Sequence, residues 1–104
     1  AVETYLFHEL KSYVDYVSGE PLAFWKSKSG FEVDFILGDH TAIELKASEH
    51  VGLNDLKSLK ALEEERKLKR YLCVSLESRR RQVGKVTILP IHEFVNNLWN
   101  ESYS

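Results

Sequence analysis

The stretch FEVDFILGDHTAIELKAS, Phe31 to Ser48, constrains the fold more than any other part of the chain. Phe31, Val33, Phe35 and Leu37 alternate with Glu32, Asp34 and Ile36. After Gly38, Asp39 and His40, a second set of Thr41, Ile43, Leu45 and Ala47 alternates with Ala42, Glu44 and Lys46. Strand side chains point to alternate faces, so the pattern reads as two strands joined by a tight loop. The apolar sets Phe31, Val33, Phe35, Leu37 and Ile43, Leu45 are expected to face one core, which fixes the register. A three-residue loop at Gly38, Asp39 and His40 is a common hairpin connection. It sets Asp34 opposite Glu44 and Glu32 opposite Lys46. Opposed Cβ atoms lie roughly 4.5–5.5 Å apart, and like charges there destabilise a sheet. Two carboxylates held that close call for a cation or a shared proton.

The flanking segments supply the rest of an α/β domain. Val2, Tyr5, Leu6, Leu10, Tyr13, Val14 and Val17 recur at helical spacing, predicting a helix from Val2 to Val17. Glu9 falls within that stripe, where a carboxylate is costly unless paired or ligating. Ser18 to Pro21 end the helix, and Leu22 to Lys28 read as a strand with a turn at Ser29 and Gly30. A second helix is expected from Leu53 to Lys67. Its apolar side is Leu53, Leu56, Leu59 and Leu62, and Glu63 and Lys67 form an ion pair one turn apart. Tyr71 to Leu76 is a continuous apolar run, the mark of a strand buried on both faces. Ser78 to Lys85 reads as a polar loop, and Val86 to Leu89 as a short strand. Pro90 opens a last helix with Ile91, Phe94, Val95, Leu98 and Trp99 inward. The order αβββαββα places a strand after the crossover helix that can add in parallel.

Composition narrows the function classes. At 104 residues and 43% hydrophobic, the chain is long enough for one core and is read as a single domain, 1–104. The net charge of -2 gives no global basic field, so any basic surface must be local. A lone cysteine, Cys73 in YLCV, excludes an internal disulfide or a multi-cysteine zinc site and reads as a buried thiol. His8, His40, His50 and His92 share no face, so a zinc site or catalytic triad is not expected. No apolar run approaches the ~20 residues of a membrane span, and no signal peptide is visible. No membrane partner and a cytoplasmic location are expected. The absence of methionine implies a removed start residue or a piece of something longer.

The element order and the acids together resemble the PD-(D/E)xK nuclease superfamily, the restriction-endonuclease-like fold. That pattern has an acid on the first helix, an Asp on the second strand and Glu-x-Lys on the third. Here those positions are Glu9, Asp34 and Glu44-Leu45-Lys46. The strings ETYLFHEL, FWKSKSGFEVDFIL, AIELKAS, DLKSLKALEEE and ILPIHEFVNNLW resemble, more narrowly, a domain of unknown function at the C-terminus of many prokaryotic AAA+ ATPases. No GxxxxGK[ST] loop is present, so nucleotide hydrolysis does not carry over.

The resemblance implies a mixed sheet flanked by helices around an αβββαβ core, with an extra strand and a C-terminal helix. It also implies metal-dependent hydrolysis of DNA, including branched DNA. Asp34 and Glu44 offer hard oxygens suited to Mg²⁺ or Mn²⁺, and the Leu45 carbonyl is a third ligand by resemblance. Lys46 would orient the attacking water and stabilise charge on the phosphate. Glu9 would complete the site directly or through water. Glu32 is a supporting residue or an ion-pair partner. Lys26 and Lys28, with Trp25 between strand and turn, and Arg79, Arg80 and Arg81 are the candidate DNA contacts. The implied partners are DNA, a second copy of the chain and an associated ATPase. The alternative is a non-catalytic DNA- or protein-binding module derived from such an ATPase, with Glu32 and Lys46 in a cross-strand salt bridge.

Overall fold

The computed structural model describes residues 1–104. The chain runs α1 (Val2–Tyr13), β1 (Leu22–Lys26), β2 (Glu32–Leu37), β3 (Thr41–Lys46), α2 (Lys57–Glu65), β4 (Arg70–Ser75), β5 (Arg81–Val83), β6 (Val86–Pro90) and α3 (Ile91–Trp99). A π-helical turn, Val14–Ser18, extends α1, and a 3₁₀ turn, Leu53–Leu56, precedes α2. The six strands form one sheet in the order β1-β2-β3-β4-β6-β5. β1, β2 and β3 pair antiparallel, β3, β4 and β6 run parallel, and β5 returns antiparallel on β6. The α/β class, the mixed sheet and the parallel strand after α2 are as the sequence implied.

Two cores sandwich the sheet. Leu56, Leu59 and Leu62 of the α2 segment cover Val33, Ile36, Ala42, Cys73 and Ile88 on one face. Leu6, Leu10 and Tyr13 of α1 join Phe94 and Leu98 of α3 over Leu37, Ile43, Leu72, Val74 and Leu89 on the other. β4 is fully buried over Tyr71 to Ser75, which explains its unbroken apolar run.

Five local readings need correction. Tyr5 and Val17 in the stripe of the first helix and Trp99 on the inner side of the last are 49%, 44% and 40% exposed. Arg81–Val83 is a strand, paired with Val86–Ile88 through a two-residue turn at Gly84 and Lys85, where the sequence suggested a loop. Its polar residues lie on an exposed edge, where no apolar alternation is required. α2 ends at Glu65, because Arg66 is extended at φ -134°. Lys67 therefore leaves the helix and does not pair with Glu63. Leu53 sits in the 3₁₀ turn ahead of α2 and is 68% exposed rather than part of the apolar side. Finally, Phe31 and Val33 pack on the α2 face while Phe35 and Leu37 pack on the α1 face, so β2 does not alternate cleanly.

Candidate functional site

The break in β2 is a β-bulge. Ala23 of β1 pairs with Ile36 and Trp25 pairs with Val33, so Asp34 and Phe35 together oppose Phe24. An extra residue of this kind switches which face the following side chains take and re-aims the residue at the bulge. On the other side of β2, the ladder with β3 holds the register set by the three-residue loop: Leu37 with Thr41, Ile36 with Ala42, Phe35 with Ile43. The next position in that register is Asp34 opposite Glu44, the juxtaposition expected from the loop length.

At that position side chains replace the ladder. The Asp34 backbone N–H donates to Glu44 Oε1 at 3.1 Å, and the Leu45 N–H donates to Asp34 Oδ2 at 2.9 Å. Each carboxylate thus satisfies a backbone donor that a partner carbonyl would otherwise take. A strand residue directs its N–H and C=O to the same neighbour, so the Leu45 carbonyl faces this opening too. The second oxygen of each carboxylate, Asp34 Oδ1 and Glu44 Oε2, takes no backbone donor.

Glu44 is only 6% exposed, and its neighbour across β4 is the buried Cys73. Burial first, and then the hydrogen bond and charge of Asp34, push its carboxyl from 4.5 up to about 8. The Asp34 backbone bond and Lys46 oppose that shift without cancelling it. Lys46 Nζ lies 4.0 Å from Glu44 Oε2. Cys73 answers the same surroundings: burial, then the Glu44 charge, drive its thiol up to about 12. It is the unreactive buried thiol expected from YLCV.

The other sequence-derived candidates do not all converge here. Glu9 is held elsewhere: the Trp99 indole N–H donates to its Oε1 at 3.1 Å, linking α1 to α3. No group of three or more His, Cys, Asp or Glu side chains is placed to hold a metal, so Glu9 does not complete an acidic triad with Asp34 and Glu44. Glu32 pairs with Lys26 at 3.7 Å, its partner across β1, and not with Lys46. The cross-strand bridge of the bland reading is therefore absent. Trp25 is a core residue whose indole N–H donates to Glu65 Oε2 at 2.6 Å, so its face is not open to a base. Lys28 lies exposed in the β1–β2 turn.

The arginine run splits three ways. Arg81 binds both oxygens of Glu77, at 2.8 and 2.9 Å, and the Val51 carbonyl at 2.6 Å. Arg80 donates to Glu93 at 2.6 Å, and Arg79 forms no ion pair. These residues line an open groove of about 590 Å³ with Glu49, His50 and Ser78, where the chain continues beyond β3 and β4. Crevices at the carboxyl ends of parallel strands are the usual ligand sites of α/β sheets. Sequence reading missed both pairs: Glu93 lies on a separate helix from Arg80, and Glu77, four residues before Arg81, was an available local signal.

Residues 1–94 match the family model described as a domain of unknown function, DUF4143, and the chain belongs to that family. No curated protein and no solved structure matches the chain.

Proposed function

We propose that this member of the DUF4143 family is a metal-dependent DNA phosphodiesterase of the PD-(D/E)xK type, with Asp34 and Glu44 as ligands for Mg²⁺ or Mn²⁺. The observation that carries the reading is the bulge-made opening, in which two adjacent carboxylates each keep one oxygen clear of the backbone donors, that of Glu44 beside Lys46. The donors fit such a cation. Mg²⁺ takes hard oxygens and is commonly held by one or two carboxylates with several waters. With no third acid present, the remaining positions fall to the Leu45 carbonyl and to solvent. A divalent cation bound there would neutralise charge on a phosphate and acidify a bound water.

The chain's own groups have distinct tasks. Glu44, with its carboxyl near 8, keeps a proton at neutral pH in the metal-free protein and gives it up on ligation. Asp34 spans β2 and β3 through the Leu45 N–H and so fixes where that strand's backbone sits. Lys46, 4.0 Å from Glu44 Oε2, would hold the water and offset negative charge on the phosphate. The resemblance to C-terminal domains of AAA+ ATPases supports association with an ATPase in the same or another chain.

A second reading, a binding module without catalysis, draws on the engagement of Glu9 by Trp99 and the lack of a third acid. Plasmid and branched-DNA nicking in Mg²⁺ and Mn²⁺ separates the two. Glu44→Ala should lose both metal binding and cleavage, while Lys46→Ala should keep the metal and lose about 10²–10³ in rate. Metal binding by the parent without cleavage of any DNA would establish the binding module instead.

A further inference from the structure

A second charged site lies on the sheet face that carries α1 and α3. Lys69 and Arg70 at the start of β4, Lys85 in the β5–β6 turn and Arg80 line a pocket of about 280 Å³. Its floor is Leu72 and Leu89, and Thr87, Gln82 and the Tyr103 phenol complete the wall. No carboxylate lines it. Of the four cations only Arg80 has an acidic partner, Glu93. In a chain of net charge -2, this is a strong local concentration of positive charge.

Arg70 is pre-set for an anion. One of its guanidinium nitrogens donates to Thr41 Oγ1 at 3.0 Å, and the guanidinium stands 5.4 Å above the Tyr103 ring. Its rotamer freedom is therefore spent on the protein itself before a ligand arrives. Lys69 and Lys85 are exposed and converge from two separate turns. Like charges brought together repel, and the repulsion falls when a multiply charged anion sits between them.

We propose that this pocket is a phosphate-binding site, in which the Arg70 guanidinium takes the oxygens and Lys69 and Lys85 supply charge. The Tyr103 phenol, which accepts from Asn97 and keeps its own O–H, adds a donor for a phosphate oxygen. The site shares no residue with Asp34, Glu44 and Lys46, so it stands whether or not the domain cleaves DNA. Two sources can bring the phosphate: a nucleic-acid backbone or a small soluble phosphate.

The test uses the full chain in chelator, so that metal chemistry plays no part, and a Lys69→Glu/Lys85→Glu double variant. Both positions are exposed, and the variant's own unfolding curve checks that it folds. Inorganic pyrophosphate should raise the melting temperature of the parent, and a labelled DNA strand should bind with salt-dependent affinity. The variant should lose the pyrophosphate response and bind DNA more weakly. For single-stranded DNA its salt slope should fall by about 1.4, the loss of two phosphate contacts. Response to pyrophosphate alone assigns a small phosphate, and response to DNA alone assigns the backbone. A Lys85→Gln variant, which removes charge without reversing it, should show a smaller loss in the same assay. No response of the parent to either probe, or a double variant that responds like the parent, overturns the proposal.

Discussion

Along β3 the edge facing β4 is paired over six residues, Thr41 to Lys46, while the edge facing β2 is paired over three, Thr41 to Ile43. The strand is the same on both sides, and the difference arises in its neighbours. β4 is regular and buried, so its backbone meets that of β3 without a break. β2 carries an extra residue at Asp34 and Phe35, and beyond it the backbone donors of Asp34 and Leu45 turn to side chains. Where the ladder is complete there is no spare polar valence and nothing for a ligand to hold. Where it stops, two carboxylates replace carbonyls, and each has a second oxygen that no backbone donor takes. The candidate site is thus a product of irregular pairing on one edge of an otherwise regular strand, and the regular edge keeps it rigid.

The largest effect expected from this contrast is on stability. Ile43 is the last β3 residue paired on both edges and is fully buried against α1 and α3. Ile43→Ala should destabilise by about 2–5 kcal/mol, through lost burial and the cavity left behind. The midpoint of urea unfolding at constant slope measures it. A loss well below that range would mean that the paired edge is not what holds β3 in place.

Much of this contrast was legible in the sequence, and the reasons for the exceptions are physical. The register followed from the loop length, because Gly38 and Asp39 both take positive φ and close β2 on β3 in three residues. A Cβ at Gly38 would also meet the Glu20 carboxylate that His40 holds. The bulge was not legible, because Glu32 to Ile36 satisfies simple alternation and the extra residue is defined only by its pairing with β1. Glu9, read as a carboxylate within an apolar stripe, is half-buried beside Leu6, Leu10 and Tyr13. Its partner, Trp99, comes from the other end of the chain. Arg80 looked like part of a free basic run because its acid, Glu93, is brought in by α3, whereas the acid of Arg81, Glu77, lies only four residues before it. Interactions within one hairpin can be read from spacing, and those between distant elements require the fold.

Acid–base behaviour sharpens the comparison, because two glutamates should respond to pH with opposite sign. Glu44 in the interrupted edge has its carboxyl raised from 4.5 to about 8, chiefly by burial. The folded state keeps that proton between pH 4.5 and 8 while the unfolded chain has lost it. Metal-free stability should therefore fall as pH rises through this window. Glu77, in the closed Arg81 pair, is lowered from 4.5 to about 2, first by its hydrogen bonds to Arg81. Its contribution is complete above pH 4.5 and is lost as pH falls toward 2. Unfolding curves in chelator across pH, for the parent, Glu44→Gln and Glu77→Gln, separate the two. Glu44→Gln should flatten the decline above pH 4.5 and leave the acid limb unchanged. A decline that persists in Glu44→Gln would place its origin in other groups.

The smallest effect is the most diagnostic for the interrupted edge. Asp34→Asn keeps an oxygen that can accept from the Leu45 N–H and removes the charge that faces Glu44. Above pH 8, where Glu44 is ionised and the two carboxylates oppose one another in the metal-free protein, the variant should be more stable in chelator by about 0.2–1 kcal/mol, the size of a cross-strand charge contact. Its Glu44 carboxyl should also move back toward 4.5, since one of the causes that raised it is gone. In millimolar Mn²⁺ the order should reverse. The parent gains stability by mass action and the variant, short of one anionic ligand, does not. Denaturant midpoints for both proteins, with and without Mn²⁺, supply the four numbers needed. A variant that is less stable than the parent in chelator would show that Asp34 serves the sheet as a backbone partner before it serves any cation. The opening would then be a strand end closed by side chains rather than a site held open for a ligand.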